Sequence, residues 1–320
     1  MSFLDQLTPV NLQEEKRKFF ADFSYNPQFV YAEPIDQKKL LKHPKPATEL
    51  LDLAKKIAEK ELEKQSEATL EQQLGRVLTH EEVTQKAQLF LKMHNLDKQV
   101  DIIWSASFVS RATMSLKALK LKTTAEFREK ETVGMLYHEI GTHGLRNYNY
   151  QRQPWYRKKK QFNLYGEYLE TEEGLAVLHS LMPVENKLLT KCAVRYLASD
   201  KTLTLSFSQL WQFLESYIDD EEERWTAVVR QKRGITDTAQ PGAYMKDAVY
   251  FSGAILMLRW LKQNDFRLEE LYLGKISVDD LETVVQIQGN LPSALPSFYT
   301  LDKEKYTATI TEIAVANTIF

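Results

Sequence analysis

The chain has one cysteine, Cys192, in 320 residues. An internal disulfide is therefore impossible, and so is a structural zinc site built from a cage of thiolates. Any metal bound here has to be held by nitrogen and oxygen. Charge of one sign is lacking too: 42 basic against 44 acidic residues leave a formal net charge of -2. That gives no global basic field, and no nucleic-acid partner is expected. No run of about eighteen apolar residues occurs, so no membrane-spanning helix is expected. The opening stretch MSFLDQLTPVNLQEEKRKFF does not join a basic start to a long apolar run as a secretory leader does. A cytoplasmic protein is the expectation. Internal repeats and low-complexity linkers are absent as well. What is there, 43% apolar and 27% charged residues, is the composition of an ordinary soluble globular protein with material for a sizeable core. Two local basic clusters, RKKK at 157–160 and RQKR at 230–233, read as solvated faces or as contacts for an acidic partner.

From Glu49 to about His94, apolar residues recur at three- and four-residue spacing among abundant Lys and Glu, which predicts two amphipathic helices. A capping box at Thr79 and Glu82 opens the second. The stretches VDIIWSASFVS and MSLKALKLKTTAEF carry β-branched residues in partial alternation and predict short strands. From Ala125 the pattern is helical, interrupted by an aromatic and basic loop over 148–165. The expected fold class is α+β, mostly α, with a small β-sheet beside the helix that carries the motif described next. An edge strand in that place can hold an extended peptide by main-chain hydrogen bonds. The expected organisation is an N-terminal arm over 1–48, set off near Pro44, and a single domain over 49–320. Within it, 49–96 is helical, 97–125 forms the small sheet and 126–320 is the helical catalytic part.

The stretch YHEIGTHG, 137–144, looks like the H-E-x-x-H helix of zinc proteases, but His138 and His143 stand five positions apart instead of four. Helix positions four apart sit about 40° from one another and positions five apart about 140°. A regular helix would thus aim the two imidazoles at different sides. A π-bulge, with i→i+5 bonding, would let both face one ion. Gly141 lies inside the spacing, where a missing Cβ makes distorted backbone cheaper. Without the bulge the two histidines are hydrogen-bonded structural residues. Glu139 holds the general base's place beside the first ligand, able to take a proton from zinc-bound water as it attacks a carbonyl. Catalytic zinc takes three protein ligands, and TEEGLAVLH, 171–179, offers Glu172 and Glu173. Acidic pairs also suit a helix's first turn, so the residues alone leave open which of the two is the ligand. The stretch resembles the glutamate helix of gluzincin peptidases, and by that resemblance Glu173 is the third ligand while Glu172 lies behind it or at the surface. His179 is expected to be a buried, hydrogen-bonded side chain.

Four separated stretches, HEIGTHGLRNYN, RQPW, TEEGLAVLHS and KRGITDTAQPGAYMKDAVYFSG, together resemble the microtubule-associated tyrosine carboxypeptidases. These share a domain with bacterial proteins marked by a QEGLA motif. The resemblance runs from about Phe20 to the C-terminus. It implies a zincin-like metallopeptidase fold, with Zn2+ bound by His138, His143 and Glu173 and with Glu139 as base. For the animal members it implies removal of a C-terminal tyrosine from α-tubulin, so the expected partner is a peptide or protein C-terminal tail such as that of tubulin. This chain departs from the pattern in reading EEGLA and in showing no long basic N-terminal extension for microtubule attachment. A carboxypeptidase must bind a terminal carboxylate, for which Arg233 or Lys246 is the candidate, with Tyr250 as an oxyanion donor. The alternative is that these charges hold their loop through Asp237 and Asp247. Tyr244, Tyr250, Phe251 and Trp155 are available as walls of a tyrosine pocket. The competing function is a catalytically silent or regulatory zinc-binding protein of the same fold, against which the intact Glu139 stands. A third, a non-peptidase zinc hydrolase, would need a closed pocket unlike a peptide groove.

Overall fold

A computed structural model describes residues 3–60, 67–106, 110–288 and 294–320. Its principal elements, in chain order, are α1 (Leu12–Ala21), α2 (Leu51–Ala58), α3 (Glu67–Leu74), α4 (His80–Met93), β1 (Asp101–Ser105), β2 (Ala112–Met114) and β3 (Ala118–Lys122). Then come α5 (Glu129–Leu136), a π-helical segment (Tyr137–Gly144), α6 (Leu145–Tyr150), α7 (Leu169–Leu181) and α8 (Thr190–Lys201). The chain continues with α9 (Phe207–Glu215), α10 (Glu221–Lys232), α11 (Ala248–Gln263), α12 (Leu281–Gln288) and α13 (Lys303–Ala316). The structure is mostly helical with one small sheet, an α+β arrangement. The first expected amphipathic helix is found as α2 and α3, and residues 61–66 between them lie outside the described residues, as do 107–109 of the first expected strand region. The second helix starts as read: Thr79 accepts the Glu82 amide, and the Glu82 carboxylate accepts the Thr79 amide at 2.8 Å. Among the described residues no helix is long and apolar enough to cross a membrane.

Contacts gather the chain into two compact units, Met1–Lys64 with Leu189–Ser252, and Gln65–Leu188 with Gly253–Phe320. Neither is bounded at residue 48, where the arm was expected to end. In the first unit α8 packs on α2 and α9 on α10. Its core is aromatic: Phe19, fully buried, lies edge-on to Phe207 and Trp211 with ring centroids 4.9 and 5.0 Å away. Such edge-to-face pairs add to the area they bury.

The second unit carries the sheet, in the order β1-β3-β2, with β1 parallel and β2 antiparallel to the central β3. Leu119 and Leu121 of β3 are buried while Lys120 between them is exposed, the two-residue alternation that a sheet with one covered face requires. The edge strand β2 lies against the π-helical segment, which α7 covers from elsewhere, and α13 packs on α7. The crossing of α7 with α11 is set by two glycines. A Cβ on Gly174 would lie 2.1 Å from the Gly253 carbonyl carbon, and one on Gly253 would lie 2.3 Å from the Glu170 oxygen. Backbone meets backbone there, which brings the residue before Gly174 into fixed register.

Candidate metal centre

The segment Tyr137–Gly144 is π-helical, between the α-helical turns of α5 and α6. The five-residue spacing of the histidines is thereby accommodated in a widened turn, and their rings lie 4.8 Å apart, centroid to centroid. Gly141 is needed there for space: a Cβ would meet the Phe298 ring at 2.7 Å. This steric reason stands beside the expected backbone ease; its φ lies outside the left-handed region.

Glu173 Oε2, from α7, stands 3.5 Å from His143 Nε2 and 4.0 Å from His138 Nε2. One ligand atom from each of His138, His143 and Glu173 lies within 4.8 Å of the other two. For zinc bonds of about 2.1 Å, tetrahedral ligands sit about 3.4 Å apart. The two separations to Glu173, 3.5 and 4.0 Å, lie near that value, and a donor set of two imidazoles and a carboxylate suits a zinc ion.

Behind these three lies a buried charge cluster. Glu172 Oε1 accepts from His143 Nδ1 at 2.9 Å and pairs with Lys275 at 2.9 Å, while Glu172 Oε2 accepts from Arg146 Nη1 at 2.8 Å. Arg146, wholly buried, also donates to the Leu271 and Ile276 carbonyls. Burial opposes ionisation of Glu172, but the charges of Lys275 and Arg146 and the bond to His143 outweigh it and hold the carboxyl well below its ordinary range. A carboxylate on the far nitrogen of a ligating histidine fixes its tautomer and ring orientation.

The two histidines are driven in opposite directions. Burial lowers His138, against the charges of Glu139 and Glu173. Burial works to lower His143 too, but its hydrogen bonds to Glu172 and Glu173 prevail and raise it to about 10. A histidine raised from 6.5 to about 10 contributes stability that is complete below the lower value and lost as pH rises through the upper one. Metal-stripped protein should accordingly lose stability toward urea between those values, and Glu172→Gln should flatten the slope. A flat wild-type profile would refute the assigned pair.

Glu139 points from the π-segment to the sheet, its Oε2 accepting the Met114 amide of β2 at 2.7 Å, and it is 9% exposed. The Met114 side chain also sits 3.0 Å from where a Gly144 Cβ would be, so one strand residue fixes both the carboxylate and the end of the π-turn. His179 is buried and hydrogen-bonded, to Thr142 and Tyr306. The remaining candidates, Trp155 apart, belong to the other unit. Arg230, not Arg233, takes Asp247 in a two-pronged pair at 2.8 and 2.9 Å, while Arg233 reaches it at 3.6 Å and lies over the Tyr244 ring. Lys246 lies over the Tyr250 ring at 5.9 Å. Asp237 is engaged by Gln28 and Gln240. Of the expected pocket walls, Tyr244, Phe251 and Trp155 are buried and only Tyr250 is partly exposed.

A family model described as microtubule-associated tyrosine carboxypeptidase matches residues 16–305. The chain belongs to that family. It is 34% identical to microtubule-associated tyrosine carboxypeptidase 1 of Mus musculus, over 97% of this chain and 68% of the mouse protein. The Rattus norvegicus protein of the same name is 34% identical over the same shares, and the Homo sapiens one 33% identical over 97% of this chain and 67% of the human protein. The resemblance read from four stretches is borne out.

In this tyrosine carboxypeptidase family member, sequence reading missed Arg146 and Lys275. Arg146 carried a faint signal, being three residues after His143 on a neighbouring helix face. Lys275 carried none.

Proposed function

We propose that the chain is a zinc-dependent metallocarboxypeptidase of zincin-like fold that removes a C-terminal residue, tyrosine, from a protein tail such as that of α-tubulin. The observation that carries the reading is the convergence of His138, His143 and Glu173 within 4.8 Å, next to Glu139, in a chain whose relatives are named tyrosine carboxypeptidases. His138, His143 and Glu173 would hold the ion, which supplies a Lewis acid that makes water nucleophilic near neutral pH and polarises a carbonyl.

The protein's own groups do the rest. Glu139 takes a proton from the attacking water on its carboxylate and returns it to the leaving amine. Its bond from the Met114 amide holds that carboxylate in place. Glu172, neutralised by Arg146 and Lys275, keeps His143 oriented with Nδ1 as donor. Arg233 or Lys246 is our candidate for the terminal carboxylate and Tyr250 for the oxyanion. Arg233 is better suited than Arg230, whose guanidinium is committed to Asp247.

Zinc-loaded protein incubated with peptides ending in tyrosine, phenylalanine or alanine should release one C-terminal residue, fastest for tyrosine, as followed by mass spectrometry. The purified protein should carry one zinc, and His138→Ala should lose it. Metal content unchanged in His138→Ala, or no release from any peptide, would defeat the reading.

A further inference from the structure

Where α-helical bonding gives way to π-bonding the backbone ladder shifts by one residue, and carbonyls at the shift depend on other donors. Two carbonyls of the segment 137–144 are met by side chains. Thr142 Oγ1 donates to the Tyr137 carbonyl at 2.9 Å, and the Tyr272 hydroxyl donates to the Gly141 carbonyl at 2.6 Å. The carbonyls on either side of Gly141, those of Ile140 and Thr142, are taken by the Leu145 amide. These two side-chain bonds thus bracket the stretch that carries His138 and lie just ahead of His143.

Thr142 has one hydroxyl proton, and it goes to Tyr137. With that proton on the Tyr137 carbonyl, the 2.7 Å contact with His179 Nδ1 is assigned with the imidazole as donor, from the bonding partners and not from a hydrogen position. On that assignment His179 carries its proton on Nδ1, and its Nε2 accepts from the Tyr306 hydroxyl at 3.2 Å. The hydrogen bonds run one way, from Tyr306 through His179 and Thr142 to the Tyr137 carbonyl. His179, Thr142 and Tyr272 are buried, as is Tyr306. Phe298 closes the arrangement, with its ring 4.3 Å from that of Tyr137 and 4.7 Å from that of His179. Threonine hydroxyls also bond a carbonyl four residues back in the ordinary α-helices of this protein, as Thr84 does to His80; what sets the π-segment apart is the five-residue reach of Thr142 to Tyr137 and the Tyr272 hydroxyl brought to the Gly141 carbonyl from another part of the chain.

We propose that Tyr306, His179 and Thr142, together with Tyr272, are positioning residues that hold the π-turn open so that His138 and His143 present their Nε2 atoms to one ion. The assignment rests on the metal reading above. It makes the chain of bonds from α13 through α7 a requirement for metal geometry, although none of the four residues supplies a ligand.

The test uses the full chain. Thr142→Val keeps the side chain's shape and removes its hydroxyl. Zinc affinity by chelator competition should fall about 10- to 100-fold, the range for losing support behind a metal ligand, and the visible spectrum of the cobalt-substituted protein should change. Thr142→Ser should restore both. Tyr272→Phe should weaken zinc binding in the same direction and carries the test if Thr142→Val does not fold. Wild-type zinc affinity and an unchanged cobalt spectrum in both hydroxyl-deleted variants would overturn the proposal while leaving the metal reading intact. Should the wild type bind neither metal, the metal reading fails, and amide exchange in the metal-free protein decides what is left: Thr142→Val should speed exchange across 137–144, and unchanged exchange would overturn the positioning role as well.

Discussion

Glu139→Gln is expected to slow release of the C-terminal residue by about 10²- to 10⁴-fold, the usual worth of a positioned general base, while zinc content stays at the wild-type level. The substitution is chosen for what it preserves. Glutamine has the shape of glutamate, and its amide oxygen can still accept the Met114 amide that Glu139 Oε2 accepts at 2.7 Å. The side chain therefore stays where it is and loses only its capacity to take a proton. Because position 139 adjoins His138, a variant that disturbed the π-turn would also lose metal; retained zinc separates the two effects. Single-turnover release from a tyrosine-ending peptide, followed by mass spectrometry, gives the rate of the chemical step without product dissociation. Release within a few-fold of the wild type would remove Glu139 from the base's role.

Glu172→Ala is expected to destabilise the protein by about 3–5 kcal/mol, the cost of breaking a buried ion pair by deleting one partner. Arg146 is fully buried and Glu172 only 2% exposed, so no water is at hand to solvate the guanidinium left behind. Lys275 and His143 lose the same carboxylate. Glu172→Gln, which can still accept hydrogen bonds, should cost less. The double variant Glu172→Ala with Arg146→Met should recover part of the loss, since it removes the unpaired charge. Recovery stays incomplete because the Leu271 and Ile276 carbonyls, now met by Arg146, are left without their donor. Urea midpoints at constant slope measure all three. A Glu172→Ala variant within about 1 kcal/mol of the wild type would show that the cluster is solvated in solution and not buried as described.

Several features were legible because they are local. The five-residue histidine spacing predicts a widened turn from helical geometry alone, and the segment is π-helical. The Thr79 and Glu82 pair predicts a helix start from two hydrogen bonds within four residues. The glycine in EEGLA was visible, but its reason was not: it lies against the backbone of Gly253, and no sequence pattern names the partner of a close helix crossing. Gly141 was read as backbone ease, and the structure adds a reason no local pattern could show, room for Phe298, a residue far along the chain.

What the sequence by itself determined is the angular relation among neighbours: which residues share a helical turn, where a cap can close, and that His138 and His143 can converge only on a distorted helix. The residues alone left open which carboxylate faces the two Nε2 atoms, a resemblance pointed to Glu173, and the tertiary structure puts Glu173 there and turns Glu172 to His143 Nδ1, with Arg146 and Lys275 behind it. It also decided that a strand amide 25 residues away holds Glu139. The physical reason is that dihedral preferences and hydrogen-bond periodicity act over one or two turns, whereas these contacts are made between segments whose meeting depends on the packing of the whole unit.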